Sequence, residues 1–141
     1  MSTFPSAVPG LLPSREEIER ICMRNLMEST EECIFFKDLD SRFLAVSAGW
    51  LATYFDGGPV EALIGTTDFD IFSEPHAAAA FADEQHVIRT GRPMVAKPER
   101  ETFDDRPDRW TSTSKLPLRS ESGQIIGTFG LSRDITAQIQ A

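Results

Sequence analysis

The chain is short of the residues from which most site chemistry is built. Among 141 residues there are two cysteines, Cys22 and Cys33, and two histidines, His76 and His86. The cysteines form no C-x-x-C pair, which points to a reduced, cytoplasmic setting. No apolar run approaches the roughly 18 residues of a membrane span. The opening MSTFPSAVPGLLPS lacks the basic region of a secretory signal. Positive charge is also scarce: 14 Lys and Arg stand against 22 Asp and Glu, a net charge of -8. Nucleic acid and anionic membranes both require a basic face, so contact with either is not expected of this domain. No G-x-S-x-G elbow, H-E-x-x-H helix or Gly-rich phosphate loop occurs. No catalytic residue is expected, and the domain is read as not an enzyme.

What is present suits one globular domain: 40% of the residues are apolar, enough for a single core. Pro5, Pro9 and Pro13 mark residues 1–13 as a flexible lead. Ser14-Arg15-Glu16-Glu17 is a capping box that starts a helix running to about Ser29. Ile18, Ile21, Cys22 and Leu26 lie on one stripe of it, suited to covering the back of its own sheet or to pairing with a second copy. Cys33–Lys37 and Arg42–Val46 read as strands around an Asp38–Ser41 turn. Ser47 caps a helix to about Phe55, and Asp56-Gly57-Gly58-Pro59 ends it. The two carboxylates of Thr67-Asp68-Phe69-Asp70 lack EF-hand spacing and are read as caps of short helical turns, so no metal site is expected. Ser73 and Pro75 open a helix over Glu74–Arg89, closed by Gly91. Residues 92–101 form a strand, and the charge-dense segment from Glu99 to Arg109 reads as a solvated hairpin turn. Trp110–Leu118 and Gln124–Arg133 then flank Ser120-Glu121-Ser122-Gly123 as a hairpin. Gly127 and Gly130 within it mark bulges or close backbone approaches.

Four segments together resemble the PAS family. They are Phe35–Leu44, Ile64–Phe72 (IGTTDFDIF), Trp110–Pro117 (WTSTSKLP) and the terminal Asp134-Ile135-Thr136. The resemblance spans about residues 32–136, preceded by the helical segment 14–31 and followed by a linker helix starting at 137–141. It implies an α+β fold: a five-stranded antiparallel sheet of order 2-1-5-4-3, with helices on one face and the N-terminal helix on the other. It also implies a sensory input module that binds a small ligand in its core. The signal would pass through Asp134-Ile135-Thr136 to a histidine kinase, diguanylate cyclase or transcription regulator. The alternative function is a ligand-free interaction and dimerisation scaffold.

In the PAS register, the expected ligand pocket comprises Phe35, Lys37, Phe72, Phe81, Thr111, Thr113, Lys115, Thr128 and Ser132. Ile126 and Gly130 share the inward parity. Lys115 either anchors an anionic ligand or reaches the rim or an acid such as Asp68 or Asp70. A haem is not expected, because His76 and His86 lie about 80° apart around their helix and His76 suits an exposed or capping role in the first turn. A cysteinyl-flavin is not expected either, since no cysteine follows Cys33. A homodimer is expected through Ile18, Ile21, Cys22, Leu26, Phe129 and Leu131. Asp134 and Thr136 are the expected output corner: Asp134 bound by Arg133 or Lys37, and Thr136 capping the outgoing helix.

Overall fold

The computed structural model describes residues 13–140; apart from Pro13, the expected lead lies outside the described residues. Five strands, β1 (Cys33–Asp38), β2 (Phe43–Val46), β3 (Met94–Glu101), β4 (Arg109–Arg119) and β5 (Ile125–Asp134), form one antiparallel sheet of order β2-β1-β5-β4-β3. The PAS-like order and the α+β class are both realised. Alternation positions the faces. On β4, Thr111, Thr113 and Lys115 are buried, while Trp110, Ser112, Ser114 and Leu116 between them are half-buried.

The helices begin and end where their caps require. α1 (Arg15–Ser29) starts at Ser14, whose Oγ accepts from the Glu17 amide. α2 (Ala48–Tyr54) starts at Ser47, whose Oγ accepts from Trp50. The short α3 (Val60–Leu63) leads to a single 3-10 turn, Asp68–Asp70, held by a reciprocal Thr67/Asp70 capping box. α4 (Glu74–Thr90) stops at Gly91, which takes the left-handed conformation with φ 67° that glycine adopts at no steric cost. Ser73 and Pro75 open α4 as expected, with Ser73 at the N-cap, although its side chain makes no cap bond and bonds instead to Thr102 Oγ1. α5 (Thr136–Gln140) leaves the last strand immediately.

α2 and α4 pack with the 3-10 turn over the inner face and enclose an aromatic core of Phe35, Phe43, Trp50, Tyr54 and Phe72. α1 meets the body mainly at α2 and along the β2 edge, and Met27 is its buried residue. The outer sheet face is therefore only partly covered: Phe36 and Phe129 stack at 5.5 Å, and Leu131 is exposed. No helix among the described residues is long and apolar enough to cross a membrane.

Candidate functional site: a buried ionic cluster under the long helix

β5 is the central strand and carries almost no bulk where the site forms. Gly130 lies between Phe35 of β1 and Lys115 of β4. A Cβ there would collide with the Ser114 backbone and come within 3.0 Å of the Phe35 ring. Its absence lets two lysines from the flanking strands, Lys37 and Lys115, converge beneath α4. The helix presents Ala77, Ala80, Glu84 and Val87 to the sheet, the spacing of one helical face. Small residues at the first two positions bring the backbone close, and Glu84 fills the third.

The three charges meet at one oxygen. Lys37 Nζ donates to Glu84 Oε2 at 2.6 Å and to Asp68 Oδ2 at 2.5 Å. Lys115 Nζ donates to the same Glu84 Oε2 at 2.8 Å and to the Ala80 carbonyl at 3.3 Å. Glu84 is fully buried. Burial opposes its ionisation, but the ammoniums of Lys37 and Lys115 outweigh burial and hold its carboxyl well below the usual range. For Lys37, burial favours the neutral amine, and Asp68 and Glu84 reverse this to raise its pKa. The Lys37 ammonium also lies over the Phe35 and Phe43 rings, at 5.2 and 4.8 Å.

A second acidic group borders the same space. Tyr54 Oη lies 2.8 Å from each oxygen of Glu101. Burial pushes the Glu101 carboxyl up to about 7, partly opposed by the Tyr54 hydrogen bond and Arg109. Glu99 is also raised, chiefly by burial. His76 packs against Phe72 with ring centroids 4.5 Å apart and the rings tilted by 60°, and its Nδ1 is 3.8 Å from Glu99. Burial depresses its pKa to about 4, so it is neutral at pH 7. Together these groups line a cavity of about 20 Å³, the room needed by one water. Glu84 Oε1 and Glu99 Oε1 are buried without a hydrogen-bond partner.

Of the expected pocket residues, Phe35, Lys37, Phe72, Thr113, Lys115 and Ser132 line this cavity. Thr111 and Thr128 are fully buried on the same face but lie off the cavity wall. Phe81 is misplaced by the sequence reading: it sits one residue, about 100°, past Ala80 around α4 and is 41% exposed. Ile126 is likewise exposed. His76 is buried rather than exposed, because Phe72 and Glu99 close over the first turn of α4. Lys115 pairs with Glu84, not with Asp68 or Asp70. Glu99 and Glu101, expected in a solvated turn, face inward.

At the exit, Asp134 is approached by Arg109, with Nη2 3.5 Å from its Oδ2, rather than by Arg133 or Lys37. Lys37 is committed to the core. Asp134 Oδ1 accepts from the Thr136 amide at 2.8 Å, and Thr136 Oγ1 accepts from the Trp110 amide at 2.9 Å. Among the expected interface residues, Ile18, Ile21, Cys22, Leu26 and Leu131 are exposed, and Phe129 is half-buried.

A family model described as the PAS fold matches residues 27–140. The chain belongs to the PAS family. This PAS domain is 27% identical over 113 residues to the methanogenesis regulatory histidine kinase FilI of Methanothrix harundinacea (strain 6Ac). The match takes in 80% of this chain but only 12% of that protein's length. Among solved structures, it resembles VqmA of Vibrio cholerae in its complex with ligand and DNA. That match has a TM-score of 0.68 at 26% identity and covers 84% of this chain and 51% of VqmA. A PAS domain from Colwellia psychrerythraea shares the fold with a TM-score of 0.69 at 18% identity, over 84% of this chain and 98% of that one. The PAS domain is thus homologous to sensory modules of signalling proteins.

Proposed function

We propose that this PAS domain is a non-catalytic sensory input module. Its core takes a compact ligand rich in hydrogen-bond donors, an amine or a small polyol, and its Asp134-Ile135-Thr136 corner passes the change to a following effector. The observation that carries this reading is the imbalance of the cavity wall. Four carboxylates, Asp68, Glu84, Glu99 and Glu101, face two lysines there, and two carboxylate oxygens lack a donor. A buried acceptor without a partner costs about 1–3 kcal/mol, which a ligand N–H or O–H would relieve. Aromatic faces around the same space favour a cationic group. Lys115 is then a counter-charge for Glu84 rather than the anchor of an anionic ligand.

An external cleft between α4 and β3, floored by His76 and Glu99, offers the route inward. The small cavity belongs to the closed state, and a ligand enters by prising Glu84 from its lysines. Homology to a regulatory histidine kinase, and likeness to VqmA in complex with ligand and DNA, support the sensory role. The effector would be a histidine kinase, diguanylate cyclase or transcription regulator, and the acidic domain itself would contact neither nucleic acid nor membrane in a cytoplasmic setting.

A second reading, a ligand-free dimerisation scaffold, draws on the exposed apolar side chains of α1, with Ile21 and Leu26 each about half exposed. Such a row on a helix suits a second copy, and dimerisation through α1 and the Phe129/Leu131 sheet face is compatible with sensing.

The output half of the proposal is tested with Asp134→Ala in the longer signalling chain. We expect ligand occupancy to persist while effector activity stops responding to it. An effector that still follows occupancy would contradict the assigned outlet.

A further inference from the structure

Arg109 occupies an unusual position between two acids. It is the cross-strand partner of Glu101 in the β3–β4 pair. Its Nε lies 3.4 Å from Glu101 Oε1, and its Nη2 lies 3.5 Å from Asp134 Oδ2. Both separations are ionic contacts at the long limit of a hydrogen bond, and Nε, although buried, has no hydrogen-bond partner. The guanidinium also lies 5.2 Å over the Tyr54 ring, and Tyr54 in turn holds Glu101. One acid belongs to the core cavity. The other holds the first amide of α5. A side chain that satisfies neither acid fully is free to tighten on one at the expense of the other, because a charge-assisted bond forms well only at shorter range and with good alignment.

We infer that Arg109 is a movable tie through which the charge on the cavity acid Glu101 sets how firmly α5 is attached. When Glu101 carries a proton it keeps its bond with Tyr54 but no longer attracts the guanidinium, which then closes on Asp134. When Glu101 is ionised it draws Arg109 inward and slackens Asp134. No bond beyond the proton's own is made or broken. The groups facing Glu101 are Tyr54 from α2, Asp68 from the 3-10 turn, Glu99 from its own strand and Arg109 from β4. His76 of α4 is on the cavity wall with it, and Cys33 of β1 lies near Tyr54. Glu31, Glu32, Cys33, Thr53, Ser132, Arg133 and Asp134 border the groove around Arg109.

Across neutral pH, Glu101 is the member of this set placed to change charge. Burial raises it to about 7, whereas His76 is lowered to about 4, and Asp134 is lowered by its bonds to Thr136 and stays ionised. Stability contributed by a proton on Glu101 is present below its unfolded value of 4.5 and lost as pH rises through 7; the tie, set by the folded state alone, changes only around 7. A donor ligand that bonds to Glu101 would alter its hold on Arg109 in the same way. That extension rests on the proposed ligand site, but the proton response does not.

The test uses the full 141-residue chain without any ligand. Amide exchange of residues 136–140 is followed from pH 5.5 to 8.5, corrected for intrinsic rates and referenced to β1 amides as a monitor of global opening. Wild type should lose α5 protection with a midpoint near 7, by at least about fivefold, the lower end of ordinary coupling between sites. Glu101→Gln should stay protected throughout, and Arg109→Gln should be weakly protected throughout. A wild-type profile flat across this range would overturn the inference, whether or not the variants fold. So would a transition that survives in Glu101→Gln. Either result leaves the role of Asp134 in effector output to be judged by the separate activity test, so the two ideas fail independently.

Discussion

Replacing Glu84 by Gln is expected to destabilise the domain by about 3–5 kcal/mol, the usual cost of removing one partner from a buried ionic cluster. For a domain whose total stability is about 5–15 kcal/mol, that is enough to bring it near the folding threshold. The physical reason is the charge count beneath α4. Lys37 and Lys115 both donate to Glu84 Oε2, and only Lys37 has a second carboxylate, Asp68. With a neutral amide at position 84, the Lys115 ammonium is left with the Ala80 carbonyl and no counter-charge while remaining buried. The companion experiment removes that charge as well. Glu84→Gln combined with Lys115→Met leaves one matched pair, Lys37 with Asp68, and should recover most of the loss. Urea unfolding of the two single variants and the double variant gives the coupling directly. Strictly additive losses would mean that the two residues do not share a buried charge cluster.

The second large effect is a pH dependence. Glu101 is raised from 4.5 to about 7, first by burial. Between those values the folded chain holds a proton that the unfolded chain releases, so stability falls as pH rises from about 4.5 to 7. The full span of that shift corresponds to about 3 kcal/mol. His76 works in the opposite sense. Its depressed value, about 4 against 6.5, contributes stability above 6.5 that is lost as pH falls through 4, so in wild type the two trends partly cancel between 4.5 and 6.5. Comparison with Glu101→Gln at each pH separates them. The variant should match wild type near pH 4 and exceed it by about 2–3 kcal/mol at pH 8, where wild type carries a buried carboxylate. Unfolding curves that run parallel over the whole range would show that Glu101 is not a perturbed acid.

Much of the architecture was legible before any coordinates. Ser14, Ser47 and Gly91 placed three helix termini through local chemistry alone, and alternation along Trp110–Leu118, taken in the PAS register, placed Thr113 and Lys115 inward. The strand order came from the PAS resemblance, since no local signal specifies which strands are neighbours. The site was less legible because it depends on depth. On α4 the sequence reading places Phe81 in the pocket, yet the face that packs carries Ala77, Ala80 and Val87. Glu84 falls four residues after Ala80 on that same face, a position marked in the sequence by helical spacing rather than by hydropathy. Glu99 and Glu101 were lost in a charge-dense segment that composition describes as solvated, although alternation along β3 turns every second residue inward. Arg109 was missed as the partner of Asp134 because the pairing register is needed to see it. Thr111 lies opposite Asp134 and Glu101 lies opposite Arg109, which places Arg109 within reach of both acids.

Native mass spectrometry of the freshly purified chain tests the central claim, that the ionic cluster is a closed ligand site, most directly. Wild type should carry a reproducible non-covalent adduct of a small donor-bearing molecule, and Glu84→Gln/Lys115→Met, folded but with the site's central carboxylate removed, should lose it. The same spectrum reports whether the chain is a dimer. Wild type recorded at its bare polypeptide mass, or an adduct that persists unchanged in the double variant, would contradict the claim; the bare mass would return the domain to the scaffold reading.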